Sequence, residues 1–129
     1  MEPDFIIIGN PPIKKNSRPV HFNRKTGRVF LGKSKNLEAA EEYALIQIQQ
    51  QSQDIAEPLP IQYKMHVKFL FYRGDRRNVD MDNLLAFPQD ILQKAGIIEN
   101  DCLIESYDGT RKYYDKENPR TEIFISKYE

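Results

Sequence analysis

Three acidic residues have the type and spacing that suit a divalent metal ion. Asp80 and Asp82 are two residues apart, and Asp101 lies further along the chain. Side chains two apart point to the same side of an extended chain, so both carboxylates would converge if the backbone stays extended as far as Asp82. The helix predicted after Asp82 would allow Asp101 to return beside the pair. Mg²⁺ prefers such hard oxygen ligands, and a bound ion would relieve their mutual repulsion and stabilise charge on a phosphate.

The same acids also have ordinary structural explanations. Asp82 would cap the N-terminus of a helix, Asp80 would be a loop residue, and Asp101 would belong to a turn. Asp-x-Asp pairs are common in loops, so spacing alone favours these structural roles over a metal site.

Charge is strongly sorted along the 129-residue chain, although 19 basic and 19 acidic residues balance overall. Residues 10–36 carry a charge of +8 without any Asp or Glu, and residues 37–62 carry −5 without any Lys or Arg. Two explanations remain open at this point. The segments would neutralise each other across the fold, or the basic segment would bind a polyanion through salt-sensitive phosphate contacts.

Two helices and several strands are predicted to position these residues. Helix 1 begins near Ser34 or Asn36, keeps a helical apolar spacing as far as Ile55, and is stopped by Pro58. Helix 2 covers Asp82–Ala95 and ends at Gly96, with Pro88 expected to kink or split it. The predicted strands are Asp4–Gly9, a hairpin of Arg18–Phe22 and Arg28–Leu31 around Thr26-Gly27, Tyr63–Tyr72, Leu103–Tyr107, Arg111–Tyr114 and Thr121–Ser126.

The order β, β-hairpin, α, β, α, β, β predicts a single α+β domain over residues 1–129. We expect a mixed sheet of about five to six strands and two main helices. The single cysteine, Cys102, rules out an internal disulfide, and the two histidines do not suggest a zinc site. No apolar run is long enough for a membrane span or a signal peptide, so we expect a soluble intracellular protein.

Several segments, in the same order along the chain, resemble the RusA-like Holliday junction resolvases. The resemblance is strongest from Val79 to Asp101, where Val79–Leu85 is similar to the family's D-x-D-N motif. Asp90–Gly96 and Ile98–Asp101 are similar to the helix, turn glycine and acidic residue that follow it. The opening segment, residues 8–15, and the ending, residues 111–120, also resemble the family.

The resemblance implies a small homodimeric, Mg²⁺-dependent endonuclease that makes symmetric paired nicks in four-way DNA junctions. Mn²⁺ is expected to substitute for Mg²⁺, and a cytoplasmic protein of bacterial or phage origin is implied. Asp80, Asp82 and Asp101 would be the catalytic, metal-binding acids, with Asp90 as a secondary acidic residue. The DNA-binding residues would be basic, namely Lys14, Lys15, Arg18, Arg24, Lys25, Arg28, Lys33 and Lys112.

One position departs from the family pattern. Where the family usually has a lysine, four residues after the second Asp of the motif, this chain has Ala86. A lysine there would stabilise developing phosphate charge. Its absence leaves three alternatives. Lys94, Arg111 or Lys112 replaces it, Pro88 re-aims the helix, or catalysis is weakened.

Two other functions therefore stay open. The first is a dimeric junction-binding protein with reduced or lost catalysis, which the departure at Ala86 suggests. The second is a metal-dependent transferase that uses Asp-x-Asp to hold a nucleotide diphosphate. The absence of a glycine-rich phosphate loop and the short chain argue against the transferase.

Overall fold

Seven strands and two long helices make up the described residues of the computed structural model. The structure describes residues 2–14, 20–23, 28–31 and 35–129, and for the two short ranges it describes only the backbone. The helices are α1 (Lys35–Ser52) and α2 (Met81–Lys94). The strands are β1 (Phe5–Ile8), β2 (Val20–Asn23), β3 (Arg28–Leu31), β4 (Met65–Arg73), β5 (Ile104–Ser106), β6 (Arg111–Tyr114) and β7 (Arg120–Lys127). The α+β class is confirmed.

Strand β4 is the centre of a mixed five-stranded sheet. It pairs antiparallel with β7, which in turn pairs antiparallel with β1. On its other side β4 pairs in parallel with β5 near its start and with β6 near its end. Strands β2 and β3 form the predicted hairpin as a separate antiparallel pair. Three strands follow α2, as the three predicted ranges after helix 2 indicated, although the predicted order counted only two.

Side-chain burial alternates along β4 and places the core on one face of the sheet. Met65, Val67, Phe69 and Phe71 are fully buried, whereas the residues between them are half-buried. The buried side chains of both helices join the same hydrophobic cluster. The two helices therefore cover one face of the sheet, and burial of apolar surface holds the layers together.

Helix α2 is continuous through Pro88, so of the predicted kink or split, the split is wrong. An internal proline costs a helix about 3 kcal/mol. Pro88 is buried on the core face together with Leu84, Phe87 and Ile91, and this packing offsets the lost hydrogen bond. The helix ends as predicted at Gly96, which has a φ of 77°.

Helix α1 is shorter than predicted and protects the outer edge of the sheet. It ends at Ser52, and Ile55 packs against the core from beyond the helix. The side chain of Gln51 bonds both the N–H and the C=O of Ile6, at 2.8 and 2.7 Å. Gln47 accepts the N–H of Ile8 at 2.7 Å. These bonds satisfy backbone groups that an edge strand would otherwise expose to another chain.

The helices of the described residues lack the length and apolar character needed to cross a membrane.

Candidate active site

The two acids of the Asp-x-Asp motif lie at the N-terminus of α2. Asp80 occupies the N-cap position in an extended conformation, and its side chain makes no capping hydrogen bond. Asp82 lies in the first helical turn. The converging geometry required an extended chain as far as Asp82, and the chain is not extended that far. The helix begins one residue before the predicted start, and the residue at the cap position is Asp80 rather than Asp82.

Both carboxylates are available for a ligand. Asp80 and Asp82 are exposed, and neither side chain makes a hydrogen bond or an ion pair with the described residues. An aspartate at an N-cap normally accepts a backbone N–H of the first turn. Here the carbonyl oxygen of Asp80, rather than its carboxylate, accepts from Asn83 and Leu84, at 3.2 and 3.3 Å.

Asp101 packs beside the other half of α2. It begins a short 3-10 turn, and its N–H donates to Oε1 of Gln93 at 3.1 Å. The preceding residue, Asn100, caps that turn by accepting the N–H of Cys102 at 2.9 Å. The Asp101 carboxylate is exposed. Burial raises the pKa of the nearby Tyr107 hydroxyl, and the negative charge of Asp101 raises this pKa further.

The three acids do not form a compact cluster. Among residues 2–14, 20–23, 28–31 and 35–129, no group of three His, Cys, Asp or Glu side chains is placed to hold one metal ion. The donor chemistry nevertheless suits Mg²⁺, because all three are exposed carboxylates whose side chains have no partner among the described residues.

A lysine lies directly beside the motif. Lys112 of β6 donates from Nζ to the carbonyl oxygen of Val79 at 2.8 Å, and Val79 immediately precedes Asp80. Lys112 is in register with the buried Phe71 and therefore shares the helix-covered face of the sheet. Arg111 is in register with Leu70, on the opposite face, and bonds the carbonyl of Thr110.

Lys94, the third possible substitute for the missing lysine, belongs to a cluster of four charges. It lies 3.0 Å from the Asp90 carboxylate and 3.4 Å from that of Glu41. Lys14 lies 2.7 Å from Asp90 and 3.6 Å from Glu41. Burial opposes ionisation of Asp90, but hydrogen bonds from the two lysines outweigh it and hold the pKa of Asp90 below its usual value. We refer to these four residues as the ion-pair cluster.

The ion-pair cluster fixes the N-terminal loop on α2. The N–H of Lys14 donates to the carbonyl of Asn83 at 2.9 Å, one residue after Asp82. At the other end of the loop, the Oδ1 atom of Asn10 accepts the N–H of Gly74 at 2.8 Å. The predicted neutralisation between the basic and acidic segments is therefore confirmed for Lys14, which pairs with Glu41. Asp90 forms ion pairs with Lys14 and Lys94 and does not contact Asp80.

Most of the remaining predicted DNA-binding residues lie outside the described residues. These are Lys15, Arg18, Arg24, Lys25 and Lys33. Arg28 is described only by its backbone, as the first residue of β3. Sequence reasoning missed Arg76, Arg77 and Tyr114, which lie near Lys112. The charged run Arg73–Arg77 indicated a basic surface in the sequence. Its position near Tyr114 depends on the pairing of β4 with β6.

Two comparisons with known proteins indicate one family. Residues 9–126 match the family model described as endodeoxyribonuclease RusA. The chain is 31% identical over 104 residues to a protein of Aquifex aeolicus (strain VF5) named crossover junction endodeoxyribonuclease RusA. That alignment covers 81% of this chain and 76% of the Aquifex protein.

Proposed function

The chain belongs to the RusA family of endodeoxyribonucleases, and on this basis we propose that it resolves four-way DNA junctions by metal-dependent hydrolysis. The observation that carries the proposal is the start of α2. Asp80 and Asp82 are exposed there, neither side chain has a partner among the described residues, and Lys112 bonds the residue that precedes Asp80. Carboxylates with an adjacent cation suit phosphodiester hydrolysis, in which negative charge builds up on the phosphate.

We infer that Asp80, Asp82 and Asp101 would hold Mg²⁺, with Mn²⁺ as a substitute. The metal would supply Lewis-acid activation of the phosphate and of an attacking water. All three residues offer hard oxygen donors, and none is occupied by an ion pair with the described residues.

The remaining residues of the site would bind and orient the DNA strand. Lys112 would place its positive charge beside the scissile phosphate, as the family's lysine would from position 86. The N-terminal end of α2 also favours an anion, because its first N–H groups point outward and the helix dipole is positive there. The loop that ends at Lys14 would keep this turn in place through Asn83.

Symmetric nicking needs two equivalent sites on one junction. A homodimer with two-fold symmetry provides them, because each copy presents the same surface to equivalent strands. We propose that the basic residues between positions 15 and 33 hold the junction arms through phosphate contacts. They are Lys15, Arg18, Arg24, Lys25, Arg28 and Lys33.

A second candidate is a dimeric junction-binding protein with reduced or lost catalysis. Ala86 favours it, because this side chain carries no charge at the position of the family's lysine. The described residues also lack a compact three-acid cluster. The position of Lys112 favours the enzyme, since a cation is present beside Asp80 despite Ala86.

The proposed function is tested by incubating the purified chain with an end-labelled four-way junction in Mg²⁺. A linear duplex of the same sequence and a reaction in EDTA are the controls. We expect paired nicks in the junction alone, and no cleavage in EDTA. Tight binding to the junction without nicks, in both Mg²⁺ and Mn²⁺, would contradict the enzyme and support the binding protein.

A further inference from the structure

A basic groove lies between the loop that follows β4 and strand β6. Its volume is about 270 Å³, and its walls include Arg76, Arg77, Lys112 and Tyr114. Val79 also lines it, so the groove ends at the residue that precedes Asp80. A ligand in this groove would therefore lie next to the proposed catalytic acids.

The groove carries an excess of positive charge. Arg73 and Asp75 neutralise each other, with 3.2 Å between Nη2 and Oδ1. Arg76, Arg77 and Lys112 then remain, and none of them makes an ion pair with the described residues. Three such cations in the lining of one groove attract a polyanion.

An exposed aromatic ring lies among these cations. Tyr114 is 43% exposed, and the Arg76 guanidinium lies 4.6 Å from the centre of its ring. Exposed aromatic rings interspersed with arginines are typical of grooves that bind single strands, because bases stack on the rings while phosphates contact the cations. Tyr114 lies outside the hydrophobic core and lines the groove, opposite Arg73 of β4.

The loop that forms one wall is held in shape by Asp75. Its carboxylate accepts the N–H of Arg77 at 3.1 Å and a hydrogen bond from Arg73 at 3.2 Å. These bonds lower the pKa of Asp75, and the bond from the Arg77 N–H lowers it most. The buried Arg73 also bonds the carbonyl of Pro11. A fixed wall reduces the ordering cost of binding a strand.

We propose that this groove holds one unpaired DNA strand beside the scissile phosphate. Arg76, Arg77 and Lys112 contact successive phosphates, and a base stacks on Tyr114. This inference rests on the proposed function and deepens it, because it assigns a binding site to the segment of the DNA substrate next to the scissile phosphate.

The test measures binding of the full chain to a labelled single-stranded oligonucleotide and to a four-way junction, both in EDTA. The variants are Tyr114→Ala, Tyr114→Phe and Arg76→Gln. Tyr43→Ala and Lys116→Gln are matched controls, because Tyr43 is an exposed tyrosine on α1 and Lys116 an exposed cation beyond β6. Thermal unfolding of every variant establishes that it is folded.

We expect Tyr114→Ala to weaken single-strand binding about tenfold, the loss typical of one stacked base, with Tyr114→Phe close to wild type. Arg76→Gln should reduce the slope of log affinity against log salt by about one phosphate contact. Both controls should bind like wild type. Wild-type affinity for the strand in Tyr114→Ala, or failure of the wild type to bind the strand, would overturn the proposal.

The two proposals fail in different ways. If the wild type nicks junctions in Mg²⁺ and Tyr114→Ala binds and nicks equally well, the strand groove is wrong and the nuclease stands. If strand binding depends on Tyr114 but junctions are never nicked, the nuclease is wrong and the strand groove stands.

Discussion

The ammonium group of Lys112 lies 2.8 Å from the carbonyl oxygen of Val79, one residue before Asp80. The contact joins strand β6 to the start of α2 and holds a positive charge beside the motif. Lys94, the other lysine considered as a substitute, binds Asp90 and Glu41 instead. The structure therefore favours Lys112 as the residue that compensates for Ala86.

Replacing Lys112 with methionine should slow junction cleavage about 100-fold, the loss typical of removing one group that stabilises developing charge. Single-turnover rates measured with saturating protein separate this effect from weaker binding. Lys116→Met, at an exposed position beyond β6, is the matched control and should cleave at the wild-type rate. A normal rate in Lys112→Met would show that its charge does not act on the phosphate.

Introducing lysine at position 86 also tests whether Lys112 compensates for Ala86. If Lys112 already supplies the cation, Ala86→Lys alone should change the cleavage rate little, yet it should restore much of the rate lost in Lys112→Met. The measurement compares the two single variants with the double variant. A large gain from Ala86→Lys in the wild-type background would mean that the site lacks a cation.

The Lys14–Asp90 ion pair should stabilise the fold at neutral pH. The pKa of Asp90 is lower in the folded chain than its value of about 3.9 when unfolded. A lowered pKa contributes stability above the unfolded value, and this contribution is lost as pH falls through the folded value. Asp90→Asn should therefore reduce the free energy of unfolding by about 1 kcal/mol at pH 7.

Urea unfolding of wild type and Asp90→Asn from pH 7 down to pH 3 checks this prediction. The difference between them should be constant near neutrality and shrink as the pH falls from about 4, where Asp90 of the unfolded chain becomes protonated, through the lower pKa of the folded chain. Lys14→Met in both backgrounds gives the coupling energy of the pair. A difference that does not change with pH would show that the charge of Asp90 is not responsible.

Gln51 should matter more than an ordinary surface glutamine. Gln51→Ala leaves the N–H and C=O of Ile6 without a side-chain partner and should cost about 1–3 kcal/mol of unfolding free energy. Gln50→Ala, at the exposed neighbouring position, is the control. Equal stability of the two variants would mean that water replaces Gln51 at no cost.

The regular elements follow from the sequence because their signals are local. The alternation from Met65 to Phe71 predicts both β4 and its buried face, and Gly96 predicts the end of α2. Interruptions are less predictable, because tertiary packing decides them. Pro88 predicts a break, yet its burial on the core keeps α2 in one piece.

The candidate site was predictable in composition but not in arrangement. Asp80, Asp82 and Asp101 stand out by type and spacing, and a one-residue shift of the helix start changes how the first two are placed. The location of Lys112 beside Val79 depends on the pairing of β6 with β4. Long-range pairing of this kind leaves no local signal in one sequence.

Cleavage and binding by Asp82→Asn, measured side by side on one labelled four-way junction in Mg²⁺, test the central claim most directly. The substitution removes a charge from an exposed residue that has no side-chain partner in the described part of the chain, so the fold should be preserved. We predict paired nicks by the wild type, no nicks by Asp82→Asn, and junction affinity in the variant at least equal to that of the wild type. Normal cleavage by Asp82→Asn would contradict the assignment of these acids to catalysis.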